Sequence, residues 1–348
     1  MAGEQMTIRR ESAPPAGAPF VGVNQLLYNE ADGGLYVKLP DGTVRKVNTP
    51  PSDARVLSGD ARGAGALDLQ YTRSNVNQVA SGLWSMILGG KDNRAEGDYA
   101  LVAGQSSKGS GNHSMAVGAF AEASGTQAVA FSAAKVHASQ AIGIGTNTVI
   151  TAGADNSIAF CFWSTIGALA KYAQIFGLFG QNDAQSAMVS GENAKATLPG
   201  QFVRALGVFG DPIGVRGNAQ MSMLVARVET TNATPTPLEL EAYSESAVPI
   251  TLEDDKLYAF KIHLVGKRTG TDENAVYFFQ GAIKRGTGVG STALVGAVTK
   301  TVHHEDTVAW DAAVTADATN GALEIKVTGE AAKTIRWVAF VEWIEVGV

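Results

Sequence analysis

Residues 111–125 read GNHSMAVGAFAEASG and contain the pattern that indicates the fold. Its centre, Ser114-Met-Ala-Val-Gly118, is one copy of a five-residue unit that recurs between residues 79 and 191. Eight copies follow one another in steps of 13 to 16 residues, beginning at Ser85, Ala100, Ser114, Ala128, Ala141, Ser157, Ala173 and Ala187. Self-similarity at a fixed period indicates a repeat architecture.

The second and fourth residues of each copy are mostly apolar, and smaller residues stand between them, as at Ala116, Ala130, Gly143 and Ala159. An apolar residue at every second place is the period of a β-strand. The fifth place is usually glycine, which favours a positive φ or a close approach of two backbones. The repeat therefore predicts a β-solenoid of about eight ~14-residue coils, with two short strands in each coil.

A coil of this size has little room for a core, because only three or four of its side chains can point inward. The small residues between the apolar columns offer a second packing surface. We expect this small-residue face to be buried against sister chains, so the protein should be an obligate oligomer. A homotrimer is the natural symmetry for a rod.

Residues 111–125 resemble the head repeat of trimeric autotransporter adhesins, and the likeness extends over residues 79–191. The resemblance implies a left-handed β-roll packed as a trimer. The first 19 residues lack the apolar run of a secretory signal, and no coiled-coil stalk or membrane anchor is visible. We therefore expect the adhesin-like module without the rest of an adhesin.

The N-terminal part predicts a small β unit over residues 20–47, with strands at 26–28, 35–39 and 43–47 and turns at 29–34 and 40–42. Within it, residues 27–38 are similar to a segment common near the N-terminus of bacteriophage tail-fibre and tailspike proteins. That resemblance implies that residues 1–50 dock the protein to other virion proteins. Residues 51–78 are interpreted as a linker and residues 79–217 as the shaft.

After Gly217 the composition shifts toward charged and β-branched residues. Residues 218–348 predict an antiparallel β-sandwich, with strands at 221–230, 237–243, 256–265, 276–284, 293–298, 308–314, 322–328 and 334–344. Residues 217–220, 294–302 and 333–339 resemble the C-terminal domain of phage tail-fibre-type proteins. The predicted fold class is thus all-β throughout.

Composition and charge exclude several kinds of protein. The net charge of −6 argues against a nucleic-acid partner, and a single cysteine, Cys161, cannot form an internal disulfide framework. Residues 158–180 are apolar enough to suggest a membrane span, but Lys171 and three glycines interrupt them. We expect no membrane insertion and assign the segment to the repeat.

Motifs for cofactors, metals and catalysis are weak. His303-His304-Glu305-Asp306 is interpreted as a solvated loop rather than a metal site, and residues 286–290 as a hairpin turn rather than a phosphate loop. Paired carboxylates can cleave polysaccharide, and two acidic turns are candidates for that role: Asp92, Glu96 and Asp98, and Glu253, Asp254 and Asp255. We interpret both as solvated, and predict no cofactor, no metal and no enzymatic activity.

One column of residues supports a binding hypothesis. Immediately before the repeat starts lie Trp84, Tyr99, His113, Gln127, Gln140, Asn156 and Tyr172, with Ser186 before the last copy. In a stacked solenoid these positions form a ladder along the rod. Aromatic side chains with neighbouring amides suit carbohydrate. The alternative is an outward position before a turn that tolerates any residue.

Taken with the tail-fibre resemblance, these features predict a homotrimeric phage fibre or spike that attaches a virion to a bacterial surface polysaccharide. Two other functions stay open at this point. The chain could be a structural virion protein on tail or capsid without a receptor role, or a polysaccharide depolymerase tailspike.

Overall fold

The structure, a computed structural model, describes residues 60–210, 215–241 and 247–348, together with the backbone of four strands between residues 8 and 46. The chain is all-β, as predicted. Within these described parts, the helical structure is one 3₁₀ turn at Val289–Ser291. No helix in the described ranges has the length and hydropathy to span a membrane.

The N-terminal strands form a four-stranded sheet of their own in the order β1-β2-β3-β4. β2 (Leu26–Asn29), β3 (Gly34–Lys38) and β4 (Val44–Lys46) match the predicted strands. The parallel partner of β2, β1 (Ile8–Glu11), was not predicted. The predicted turns at 29–34 and 40–42 lie largely outside the described residues, as do residues 51–59 of the predicted linker. Farther along that segment, β5 (Leu67–Asp68) pairs with the first solenoid coil.

Each coil of the solenoid contributes one longer strand to a parallel sheet, called here the long-strand sheet. Nine such strands stack in the described part of the chain: β6 (Met86–Lys91), β8 (Leu101–Gln105), β10 (Met115–Ala119), β12 (Val129–Phe131), β14 (Ile142–Ile144), β16 (Ile158–Phe162), β18 (Gln174–Leu178), β20 (Met188–Glu192) and β22 (Phe202–Leu206). The predicted β-solenoid is therefore confirmed, with one more coil than the eight predicted.

The opposite wall is an eight-stranded parallel sheet of two-residue strands, the short-strand sheet. It consists of β7 (Arg94–Ala95), β9 (Lys108–Gly109), β11 (Glu122–Ala123), β13 (Lys135–Val136), β15 (Val149–Ile150), β17 (Thr165–Ile166), β19 (Gln181–Asn182) and β21 (Lys195–Ala196). In every strand the second residue is buried and the first faces outward. Two corners per coil join the two sheets.

The interior between the two sheets is narrow, and small residues fill it. In each repeat copy, the first and third residues point inward. In each short strand, the second residue points inward. Where one wall carries a branched side chain, the facing position is small: a Cβ on Gly109 would lie 2.9 Å from a methyl of Val102, and one on Gly143 would lie 2.6 Å from a methyl of Val136. Close packing requires this pairing of large with small residues, because the side chains of each coil must fill nearly the same interior volume.

This arrangement corrects the prediction that the small-residue face packs against sister chains. Ala116, Ala130 and Ala159 are at most 1% exposed within the single chain. The larger apolar residues at the second and fourth places point outward instead, and Leu88 and Phe160 are 50% and 43% exposed. The alternation of side chains along the strand was predicted correctly, but the wrong set of residues was expected to face the interior. A coil this thin has no room inside for two large side chains.

The glycines at the fifth place allow the coils to stack. At Gly104, φ is +116°, and a Cβ would lie 1.8 Å from the carbonyl oxygen of Gly118 in the next coil. No side chain fits into that gap, and L-residues rarely adopt this conformation. The predicted reason for glycine, positive φ together with close backbone approach, is therefore confirmed at this position.

The C-terminal part is a two-layer antiparallel sandwich, as predicted. One layer contains β23 (Ala219–Thr230), β28 (Lys256–Arg268), β29 (Asn274–Arg285), β30 (Ala293–Leu294), β31 (Thr299–Glu305) and β34 (Ile335–Gly347). The other contains β24 (Thr236–Pro237), β27 (Ile250–Thr251), β32 (Asp311–Asp317) and β33 (Ala322–Thr328), and β25 (Leu240–Glu241) pairs with β26 (Ala247–Val248). Buried aromatics join the layers, with Trp310 and Trp337 in edge-to-face contact at 5.6 Å.

The shaft and the sandwich share one sheet. The last solenoid strand, β22, pairs antiparallel with β23, so the long-strand sheet continues into the first sandwich layer. Together they form a 16-stranded sheet within the described residues. Since Phe202 lies opposite Met223, the outward side of the shaft becomes the outward side of the sandwich.

Three predicted C-terminal segments are placed differently. The segment 237–243 is divided between β24 and β25, and 293–298 contains only the two residues of β30. The strand predicted at 308–314 begins at Asp311. His303 and His304 belong to the edge strand β31 and not to a loop.

We predict that Gly104→Ala lowers the free energy of unfolding by at least about 2 kcal/mol, because the new methyl group meets backbone and the residue keeps a positive φ. Urea unfolding measures the change. The matched control is Gly290→Ala, where no atom lies within 4 Å of the new Cβ, and we expect a change within about 0.5 kcal/mol. Equal midpoints for the two variants would contradict this account of coil stacking.

Candidate functional site at the solenoid corners

The predicted binding residues lie in one column at the corner before each long strand, called here the first-corner ladder. Its members are Trp84, Tyr99, His113, Gln127, Gln140, Asn156, Tyr172 and Ser186, one in each coil, and all are exposed. Trp84 and Tyr99 are 55% and 52% exposed. The stacked arrangement predicted from the repeat spacing is therefore present, while glycan binding by it stays a prediction.

The backbone of the ladder is held in the left-handed region. All eight residues have φ between 55° and 61°, and the backbone N–H of each donates to a carbonyl of the preceding coil, as from Tyr99 to Leu83 O at 2.8 Å. Glycine and asparagine adopt this conformation most readily, whereas for bulky residues it is uncommon. Aromatic residues are therefore present at Trp84, Tyr99 and Tyr172 in spite of the backbone preference.

Side chains within the ladder contact each other along the rod. The rings of Tyr99 and His113 are stacked, with centroids 5.0 Å apart and planes 11° from parallel. The Gln140 amide donates to Gln127 Oε1 at 3.1 Å. Because stacked rings cover each other's faces, Tyr99 and His113 offer a ligand their edges and polar atoms more than their faces.

A second column of left-handed residues lies at the opposite corner and was not recognised in the sequence. It comprises Asp92, Ser106, Phe120, Ser132, Asn147, Trp163, Phe179 and Asn193, with φ between 54° and 64°. Three of its members are aromatic. Their regular spacing, six residues after the starts at 114, 157 and 173, was the signal available in the sequence.

The first acidic turn is engaged in the structure of the coils. Asp92 Oδ1 accepts from Ser74 N and Ser74 Oγ at 2.6 and 2.9 Å, and Asp98 Oδ1 accepts from Leu83 N at 2.9 Å. Glu96 pairs with Arg94 and with Lys108. Each carboxylate serves a separate local contact.

The second acidic turn connects shaft and sandwich. Glu253 binds Lys195 of β21 and, at 2.5 Å, Lys256 of β28. Lys256 also lies 3.6 Å from buried Glu345, and its ammonium donates to Gly217 O at 2.5 Å. Asp254 pairs with Arg285 at 2.6 Å. This network fixes the last coil to the first sandwich strands.

Burial and charge act in opposite directions on the two acids of this network. Burial would raise the pKa of Glu253, but the Lys256 charge and hydrogen bonds from Lys195 and Lys256 outweigh it, so the pKa lies below its ordinary value. For Glu345, burial dominates over the attraction of Lys256 and raises the pKa. Glu253 is thus the acid whose ionised form stabilises the junction.

The remaining chemistry-bearing groups are dispersed. His304 Nε2 lies 3.1 Å from Asp306 Oδ1, while the ring of His303 contacts Phe278 with centroids 5.4 Å apart. Cys161 is half-buried at a glycine place of the repeat, and burial raises the pKa of its thiol. Across the described ranges, no group of three or more His, Cys, Asp or Glu residues is arranged to hold a metal ion.

Among known proteins, the chain has a likeness to solved structures and none to families or curated proteins. Among solved structures, the chain is similar to the tailspike protein of Acinetobacter phage vB_ApiP_P1, with 8% identity and a TM-score of 0.21. The similarity covers 82% of this chain and 55% of the tailspike chain, so the match spans about half the length of that protein.

This match corrects one prediction. From the sequence we predicted that the chain is not an enzyme, yet the solved structure it matches is a tailspike protein. The prediction of no enzymatic activity is therefore wrong. Whether the protein cleaves polysaccharide is a question for an enzymatic assay.

We predict that Glu253→Gln lowers the free energy of unfolding at pH 7 by about 1–3 kcal/mol, because Lys256 loses a charged partner at a site where it is nearly buried. A carboxylate with a lowered pKa stabilises the fold above its unfolded pKa, and this contribution is lost as the pH falls through the folded pKa. The difference between wild type and variant should therefore shrink in acid. Urea unfolding at pH 7 and in acid measures it.

The control for this prediction is Glu241→Gln, which breaks an exposed pair with Arg227 and should leave the unfolding midpoint unchanged. A Glu253→Gln penalty of the same size at all pH values would contradict the assignment.

Proposed function

We propose that the protein is a fibre or spike of a bacteriophage virion, which attaches the virion to a bacterial surface polysaccharide as a homotrimer. The observation that carries the proposal is an apolar outer face that runs from the shaft onto the sandwich. A rod with such a face has to be covered, and the exposed corners beside it remain available to a ligand.

The apolar face consists of the outward side chains of the 16-stranded sheet. In the shaft it contains residues such as Met86, Leu101, Val117, Ile144 and Phe160. On the sandwich it continues through half-buried or exposed side chains of β23, β28 and β34: Met221, Met223, Val225, Leu257, Val265, Val338, Phe340, Ile344 and Val346. The charged pair Lys261–Glu342 lies among these residues. Monomeric proteins rarely expose large apolar patches.

The other side of the shaft differs in chemistry. The outward residues of the short-strand sheet are mainly charged or polar: Arg94, Lys108, Glu122, Lys135, Val149, Thr165, Gln181 and Lys195. Such a surface is suited to water. The contrast orients the rod, with the apolar face toward sister chains and the short-strand sheet toward solvent.

Further copies of the same chain are the partners that fit the apolar face. The face follows the sheet without a break in register from β8 to β28, so a parallel copy of equal length covers it. The proposed number of three chains rests on the resemblance of residues 111–125 to trimeric adhesin heads. Closed cyclic symmetry is the usual arrangement of such oligomers.

Glycan attachment is assigned to the first-corner ladder. Its exposed ring edges, hydroxyl and amide groups can hydrogen-bond the hydroxyls of a sugar chain lying along the rod. A trimer presents three ladders, and many copies on one virion multiply a weak affinity. Residues 1–50 would hold the protein on the virion, as their tail-fibre resemblance implies.

We predict that the double variant Trp84→Asn, Tyr99→Asn abolishes adsorption to bacterial strains that bind the wild-type protein. Asparagine suits the left-handed backbone of this column and already stands at Asn156, so the fold should be kept. Binding of fluorescent protein to cells measures the loss, and sedimentation checks that the mass remains three times the 36.1 kDa of one chain.

Ser186→Asn in the same column is the matched control and should adsorb like wild type. Undiminished adsorption of the double variant would refute the ladder as the glycan site. A wild-type protein that binds no bacterial strain would favour a structural virion role. New reducing ends in capsular polysaccharide incubated with the protein would assign depolymerase activity.

A further inference from the structure

A compact group of side chains at the second corner has properties that the first-corner ladder lacks. The group, called here the second-corner cluster, consists of Phe162, Trp163 and Phe179 with Gln181 and Arg216. Phe162 and Trp163 are 44% and 40% exposed. The rings are tilted: Trp163 lies 6.1 Å from Phe162 at 49° and 6.4 Å from Phe179 at 60°. Tilted rings leave parts of their faces open, unlike the stacked pair Tyr99 and His113.

Polar groups lie along the edge of these rings. Arg216, in the segment between β22 and β23, extends back over the solenoid. Its guanidinium donates from Nη1 to Gln181 Oε1 at 3.3 Å and from Nη2 to Trp163 O at 3.4 Å. Gln181 in turn donates to Asp183 Oδ2 at 2.5 Å. Both guanidinium bonds are long, and Nη1 and Nη2 each carry a second N–H that can donate to a ligand. Nε is buried and has no hydrogen-bond partner among the described residues.

The backbone gives no reason for aromatic residues here. Trp163 and Phe179 both have φ of 54°, the left-handed conformation that costs a bulky residue on the order of 1–2 kcal/mol. The neighbouring coils use Asn147 and Asn193 at the same place, which suit it better. The fold therefore works without these rings, and their presence indicates a role outside the chain's own packing.

The position of the cluster favours a ligand over a sister chain. The apolar face has large outward residues in nearly every coil, whereas the second-corner cluster occupies only the coils of β16 and β18 and shares one residue with that face, Phe162 at the end of β16. On its column it lies between Asn147 and Asn193, and Gln181 belongs to the polar short-strand sheet. A contact between parallel chains would be expected to continue along the rod.

We propose that the second-corner cluster is a second glycan-binding site. Sugar rings stack on the open faces of Trp163 and Phe179, and their hydroxyls accept from Arg216 and bond to Gln181. Two coils at the ~4.8 Å strand spacing give the site the length of about two sugars. The inference rests on the proposed attachment function, but it uses different residues.

The test is binding of the full-length protein to an array of defined oligosaccharides from bacterial capsules and O-antigens. The variant is Trp163→Asn with Phe179→Asn, which restores the residue type of the neighbouring coils. We expect at least a tenfold loss of affinity for the bound glycan with an unchanged native mass. The matched control is Phe120→Asn, which removes an exposed aromatic from the same column outside the cluster and should bind like wild type.

The outcomes separate this site from the first-corner ladder. Unchanged affinity in the Trp163 and Phe179 variant, while the Trp84 and Tyr99 variant loses binding, overturns the second site and leaves the proposed function intact. A changed native mass assigns the cluster to chain association and also overturns the second site. A wild-type protein that binds no glycan on the array overturns both proposals.

Discussion

The close approach of successive coils determines the interior, the corners and the outer faces of this chain. Parallel strands stack at about 4.8 Å, and at the corner the backbone of one coil touches the next, as where a Cβ on Gly104 would lie 1.8 Å from Gly118 O. Such contact limits the corner to residues without a side chain or with a left-handed backbone. It also makes each coil thin, so its interior accepts alanine, glycine and one branched residue at a time.

A thin interior determines what lies outside. Because Ala116 and its equivalents fill the core, the larger neighbours Met115 and Val117 must face outward. The pairing of Phe202 with Met223 carries this outward face onto the sandwich, and the ion pairs of Glu253 with Lys195 and Lys256 link the last coil to β28. The result is a rod with one apolar side, one polar side and two corners that bear exposed rings.

The sequence predicts the periodic features of this rod well, because they follow from local rules. Alternation in Ser114–Gly118 indicates a strand, and glycine at the fifth place indicates tight stacking; both agree with the structure. Which side of the strand faces inward does not follow from alternation, since it depends on the distance between the two walls.

The ninth coil was missed because Arg204 and Ala205 stand where the pattern has an apolar residue and glycine. The ladder column follows from spacing alone, but the stacking of Tyr99 on His113 is a tertiary property, and the second-corner cluster needs Arg216 from a distant segment.

The central claim is that sister chains cover the apolar face. Sedimentation equilibrium of Val117→Asp and Val149→Asp tests it most directly, since both replace a half-buried outward valine, one on the apolar face and one on the short-strand sheet. A charge at Val117 would be buried between chains without a partner. We expect Val117→Asp to dissociate toward the 36.1 kDa single chain, while Val149→Asp keeps the threefold mass of the wild type. A wild-type protein that sediments as a stable single chain, or a Val117→Asp variant that keeps the threefold mass, would contradict it.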